Sequence, residues 1–237
     1  MSDSPSFLFS AENLARLAGL LEGQTCATMQ CMKLLLIRHG ESVANTEGRI
    51  QGHFDSPLSD RGREQVSLLA RRLADEGLEL SAVYASDLSR AVETAELLDD
   101  HLPAPLTLDA RWREYDWGML TGLIWNDVEF LHPDLWQEWQ SPGWHPIPGE
   151  EGTEPFYQRI SAALEDVVAA HQDGETVTIV SHGGSLGMAL VHLLRMEVRW
   201  PVPFRFGNAS LSIVEFLDRG PVLSRHNDTS HLNCPSM

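Results

Sequence analysis

The chain has 237 residues, 43% hydrophobic and 22% charged, which is ordinary for a packed globular protein and excludes a mostly disordered one. Its 34 acidic against 17 basic residues give a net charge of −17, a surface that repels nucleic acid and anionic membranes. Apolar runs such as Leu34–Ile37 fall far short of the roughly 20 residues of a membrane helix, so neither nucleic acid nor a membrane is an expected partner.

The elements are expected in this order. Residues 1–31 read as an N-terminal extension, with a short helix begun by Ser10, carrying Leu14, Leu17, Ala18 and Leu21 on one face, and stopped by Gly23. A strand over Leu34–Ile37 and a loop rich in Gly, Asn and His follow. Ser59 then caps a helix to Glu76, with Val66, Leu69, Ala70 and Leu73 inward and Gly77 beyond its end. A strand at Ala82–Ala85, a helix near Leu88–Asp99 and an edge strand at Leu106–Leu108 come next. The helix over Thr153–His171 carries Pro155 in its first turn and Phe156, Ile160, Leu164, Val167 and Val168 on one stripe. Thr176–Val180 reads as a buried strand feeding a helix to about Arg195, and strands at Leu211–Phe216 and Val222–Arg225 close the chain. Alternation of strand and helix predicts an α/β, three-layer αβα sandwich with a mostly parallel central sheet.

Residues 111–152 break this pattern. They hold Trp112, Trp117, Trp125, Trp136, Trp139 and Trp144, six of the seven tryptophans. They read as an irregular insertion with short helices over the sheet's edge, serving as a satellite core, as a wall facing the substrate, or as both. Three cysteines, Cys26, Cys31 and Cys234, odd in number and without metal-like pairing, argue against a disulfide framework or a zinc cluster. With no signal-like apolar segment at the N-terminus, the expected location is cytoplasmic.

Three strands lead into chemistry-bearing residues. Arg38-His39-Gly40 follows the first, Ser181-His182-Gly183-Gly184 follows Thr176–Val180, and Arg90 lies one turn into the helix after Ala82–Ala85. Ligands in open α/β sheets bind at the carboxyl ends of strands, and free N–H groups at a helix start attract anions. Two histidines and two arginines at one rim form a local positive pocket in an otherwise negative protein, which suits phosphate. An imidazole can attack phosphorus and form a phosphohistidine, and a protonated carboxyl can protonate the leaving oxygen. Glu114 is the candidate, among aromatic residues that favour the protonated form.

The segments LLLIRHGESVAN, YASDLSRAVETA, Glu114 in its EYDWG context, and VSHGG resemble the histidine phosphatase superfamily, which includes the cofactor-dependent phosphoglycerate mutases. The resemblance spans roughly residues 32–232 and implies a phosphoglycerate mutase-like domain over 32–237. It implies His39 as the phosphorylated nucleophile, Glu114 as the acid and base, with Asp116 the alternative if the loop register differs by two residues, and Arg38, Arg90 and His182 on the phosphoryl oxygens. Asn45 and the Gly183 backbone N–H line the same pocket by this resemblance, while Arg49 and His53 lie in a loop within reach of the substrate. No metal and no other cofactor is required.

Met119–Gly152 contains no Lys or Arg but several acidic residues, Asp127, Glu129, Asp134 and Glu138 among them. A second phosphate there is repelled, so hydrolysis of a small phosphorylated metabolite is favoured over a mutase. A phospho-ligand binding protein without catalysis is the third reading, disfavoured because both histidines and both arginines are present. A homo-oligomer is compatible with the sequence.

Overall fold

The computed structural model describes residues 31–141 and 145–233. The helix expected between Ser10 and Gly23, Cys26, Trp144 and Cys234 lie outside them.

The strands are β1 (Lys33–Arg38), β2 (Ala82–Ala85), β3 (Leu106–Leu108), β4 (Thr176–Ser181), β5 (Leu211–Leu217) and β6 (Gly220–Asp228). They form one sheet in the order β3-β2-β4-β1-β5-β6. β1 to β4 run parallel; β5 is antiparallel to both β1 and β6. The helices are α1 (Val43–Thr46), α2 (Asp60–Asp75), α3 (Ser89–Asp99), α4 (Val128–Leu131), α5 (Pro133–Trp139), α6 (Thr153–Ala170) and α7 (Gly183–Leu193).

Alternation along β1 separates the layers. Leu34 and Leu36 pack with Phe156, Ile160 and Leu164 of α6 and with Leu186 and Leu190 of α7. Leu35 and Ile37 face the other way, onto Val66, Leu69 and Leu73 of α2 and Ala91 and Ala95 of α3. Successive strand side chains point to opposite faces, so a strand buried on both sides reads as an unbroken apolar run. The fold is the expected αβα sandwich. Ser59 caps α2 through a bond accepted from Gly62 N, at 3.0 Å.

Three expectations need correction. The loop after β1 contains a helical turn, α1, held by a capping box between Ser42 and Asn45, a short-range signal hidden among turn-forming residues. The insertion does not cover the sheet edge, because β3 is exposed along its length. It folds instead onto the loop after β1: Ile50 joins Leu120, Val128 and Ile147 in a small separate core, with Trp136 and Trp139 packed against it. Trp112 belongs to the main core and not to this satellite.

Candidate active site

β1 and β4 are parallel neighbours with Arg38 opposite Ser181, so the residues after each strand emerge side by side. His39 N–H donates to Ser181 O at 3.0 Å, and the His39 and His182 rings lie 5.1 Å apart, edge on. β2 lies on the far side of β4 and delivers Ser86 and, through α3, Arg90 to the same rim. Gly40 lets the chain turn here. A Cβ would come within 2.6 Å of Gly62 O and 2.9 Å of a Val66 methyl, so no other residue fits against α2.

The hydrogen bonds fix the protonation of both imidazoles. His39 Nδ1 lies 2.6 Å from Gly40 O. A carbonyl only accepts, so Nδ1 carries the proton and Nε2 presents a lone pair. Burial pushes the His39 imidazole well below the ordinary histidine range, and the Arg90 and Arg38 cations push it further. The ring is therefore neutral, with its lone pair at Nε2. His182 Nδ1 accepts from Arg90 Nε at 3.1 Å, so its Nε2–H donates to Ser86 Oγ at 2.9 Å. It too is held well below the usual value, by burial, by Arg90, by His39 and by Arg38.

The two arginines are spent differently. Arg90 is almost wholly buried and donates to Gly52 O and Phe54 O, both at 2.9 Å, besides His182. Burial lowers it to about 10, which leaves it charged at neutral pH. Arg38 gives Nη1 to Phe206 O at 2.5 Å, while its buried Nε meets no acceptor among the described residues. That donor is available to an anion, beside the open face of Gly183.

Glu114 faces this positive group. Its Oε2 accepts from Gly184 N at 2.9 Å, at the start of α7, and its Oε1 accepts from Tyr115 N at 2.8 Å. Between the two expected carboxylates the structure brings Glu114 into the cleft; Asp116 instead bonds Gly118 N and Thr121 Oγ1 within the insertion. Asn45 is also in the cleft, its Oδ1 accepting from Ser42. Arg49 reaches the mouth but is paired with Glu47 at 2.7 Å and bonded to Gly122 O. His53 is not among the residues lining the cleft and lies 3.7 Å from Asp116. The positive φ of Gly52 turns the loop just before it, and a Cβ at Gly52 would press on Tyr115 O.

Sequence reasoning missed Asn208, whose Nδ2 donates to His39 O and Gly40 O, both at 3.3 Å, and to Asn45 Oδ1 at 3.2 Å. The available signal was topological. β5, antiparallel to β1, begins at the rim where β1 ends, so the residues before Leu211 reach the site. Gln51, Ser86 and Trp200 were also missed. Trp200 stacks on Tyr115 at 4.3 Å behind Glu114 and touches the space beside Gly184.

The cleft has a volume of about 220 Å³; beyond the polar rim, Ile50, Trp117 and Trp125 wall it. Among the described residues no group of three or more His, Cys, Asp or Glu is placed to hold a metal ion. Residues 34–229 match the histidine phosphatase superfamily, branch 1. The chain belongs to that superfamily. By that membership it is a phosphatase-type enzyme. It is 33% identical over 202 residues to phosphoserine phosphatase 1 of Hydrogenobacter thermophilus, covering 85% of this chain and 94% of that one. Its fold is similar to an alpha-ribazole phosphatase from Shigella flexneri, with TM-score 0.74, 28% identity and coverage of 84% and 97%. It is also similar to a phosphoglycerate mutase from Bacillus anthracis, with TM-score 0.68, 25% identity and coverage of 86% and 96%. No helix among the described residues is long and apolar enough to cross a membrane.

Proposed function

We propose that this superfamily member is a metal-independent phosphomonoesterase that acts on a small phosphorylated metabolite through a phosphohistidine on His39. The observation that carries the reading is the Nδ1–H of His39 donating to Gly40 O, which leaves a neutral Nε2 in a cleft lined by three arginines and one carboxyl group.

The chemistry runs in two balanced steps. The Nε2 lone pair attacks phosphorus as the P–O ester bond breaks, and the proton on Glu114 passes to the leaving oxygen. Water then attacks the phosphohistidine, the P–N bond breaks, and Glu114 takes the proton from water. Arg38 and Arg90 offset the charge on the phosphoryl oxygens, the term that dominates phosphoryl transfer. Asn45 and the Gly183 N–H are assigned to the same oxygens. His182, with both ring nitrogens engaged by Arg90 and Ser86, is assigned chiefly to orienting Arg90, a change from direct contact. His53 receives no substrate role.

The size of the cleft favours a small ester, since drug-sized ligands occupy roughly 300–1,000 Å³. Its outer wall of Ile50, Trp117 and Trp125 favours a leaving group with an apolar or sugar-like face. A cytoplasmic location belongs to this reading, as does a catalytic unit over residues 32–237. A phosphoglycerate mutase is the second reading, supported by the similarity to the Bacillus anthracis enzyme. The absence of Lys and Arg from Met119–Gly152 weighs against it, because a second phosphate needs extra cations. Arg49, which lines the cleft with Arg38 and Arg90, already has Glu47 as its partner.

Phosphate release from a panel of monoesters in EDTA, with a His39→Ala blank, tests the proposal. Phosphate that disappears with His39 supports hydrolysis. A rate lost to EDTA and restored by zinc or magnesium overturns the metal-free scheme. Conversion of 3-phosphoglycerate to 2-phosphoglycerate with little free phosphate makes the chain a mutase.

A further inference from the structure

Glu114 sits on an irregular segment, yet a general acid must be placed to a fraction of an ångström. Arg159 on α6, and Glu151 two residues before that helix begins, hold the segment. Arg159 Nη1 donates to Arg111 O and Arg113 O, both at 2.7 Å, and Nη2 donates to Glu114 O at 2.8 Å. Its guanidinium lies over the Phe156 ring at 4.7 Å and grips Glu151 through Nε at 2.5 Å and Nη2 at 2.9 Å. Glu151 in turn accepts from Asp116 N at 3.1 Å, and its own N–H donates to Asp116 O. The pair thus holds the backbone on both sides of Glu114.

We propose that Arg159, oriented by Glu151, is a positioning residue that sets the reach of the Glu114 carboxyl to the leaving oxygen. The inference rests on Glu114 acting as the acid, as proposed above. Only a planar fork can serve carbonyls of three different residues and a carboxylate at once; a lysine ammonium cannot. The segment has other anchors, so loosening this one shifts it without detaching it. Ser181 Oγ donates to Trp112 O, Ser185 Oγ donates to Arg113 O, and Arg113 is paired with Asp87. Arg159 does not line the cleft, so phosphate binding through Arg38 and Arg90 is untouched. A misplacement of about 1 Å costs up to roughly 100-fold in rate.

The test compares Arg159→Lys, Glu151→Gln and Glu114→Gln on two substrates. p-Nitrophenyl phosphate has a leaving group that barely needs a proton; glycerol 2-phosphate has one that does. The expected result for Arg159→Lys is a fall in kcat of at least about tenfold on glycerol 2-phosphate and under about threefold on p-nitrophenyl phosphate. Inhibition by inorganic phosphate stays unchanged, and Glu151→Gln shows the same pattern in weaker form. Equal losses on both substrates in Arg159→Lys, with Glu114→Gln showing the substrate difference, overturn the positioning role. Equal losses in Glu114→Gln itself overturn the acid assignment instead. Failure of both Arg159→Lys and Glu151→Gln to fold, judged by circular dichroism and thermal melting, also overturns the proposal, since the pair then serves only the stability of the domain.

Discussion

Arg90 Nε donates to His182 Nδ1 at 3.1 Å, and this single bond decides the state of the second histidine. A guanidinium has no lone pair to offer, so Nδ1 accepts, Nε2 keeps the proton, and Ser86 Oγ receives it. Ser86, His182 and Arg90 form a buried chain from the end of β2 to the phosphate cleft.

Ser86→Ala breaks that chain at its far end. A buried Nε2–H left without an acceptor costs about 1–3 kcal/mol of stability. Because His182 then loses one of its two anchors, Arg90 is held less firmly. The expected outcome is a lower melting temperature together with weaker inhibition by inorganic phosphate, measured by calorimetry and steady-state kinetics. Unchanged phosphate inhibition would place Ser86 outside the cleft's function.

The buried histidines set a pH dependence with a defined sign. Free histidine takes up a proton below about 6.5, but native His39 and His182 resist until well below it. Between those limits the unfolded chain binds more protons than the native one, so stability falls as pH drops from about 6.5 toward the native values. Above about 6.5 both states are neutral at these positions, and their contribution to stability is fully present. Urea midpoints at pH 8, 6.5 and 5 check this, with His39→Ala showing a smaller loss than the native chain. In the free enzyme the His39 ring signals in NMR should pass through pH 6.5 without titrating.

Gly184→Ala probes Glu114 from the opposite side to Arg159. An added Cβ meets Glu114 Oε1 and the Trp200 ring, so the carboxyl must move. The expected effect is a selective loss on substrates with poor leaving groups, of the kind expected for Glu114→Gln. A loss equal on p-nitrophenyl phosphate and glycerol 2-phosphate would mean that the substitution disturbs α7 as a whole.

Trp125 tests the outer wall. It is 45% exposed, stacks on Trp139 at 5.6 Å and lines the cleft beyond the phosphate end. Trp125→Ala should raise KM for aryl phosphates several-fold, about 1 kcal/mol for a lost ring contact, while leaving phosphate inhibition unchanged. Equal KM values for the variant and the native chain would assign the ring to the satellite core alone.

Much of the fold was readable from local pattern. Doubly apolar β1 and β4, the Ser59 cap, and the periodic faces of α2 and α6 are short-range properties, and each appears where expected. The short capped turn at Ser42–Asn45 was hidden in a loop-like composition. The insertion's location was not readable, because Ile50 and Leu120 meet only after the chain has folded.

By itself the sequence determined which residues are candidates for the chemistry: histidines directly after apolar strands, arginines near them, and one carboxyl among aromatic residues. Residue type and strand-end position are local facts, and chemistry at strand ends follows from the parallel sheet. Tertiary structure alone decided how each group is used. It placed Glu114 and not Asp116 in the cleft lining, set His53 beside Asp116, joined His182 to Ser86 and Arg90, and brought Asn208 and Arg159 next to these residues from far along the chain. Protonation state and reach depend on burial and on partners distant in sequence, and those exist only once β1, β2, β4 and β5 share one rim.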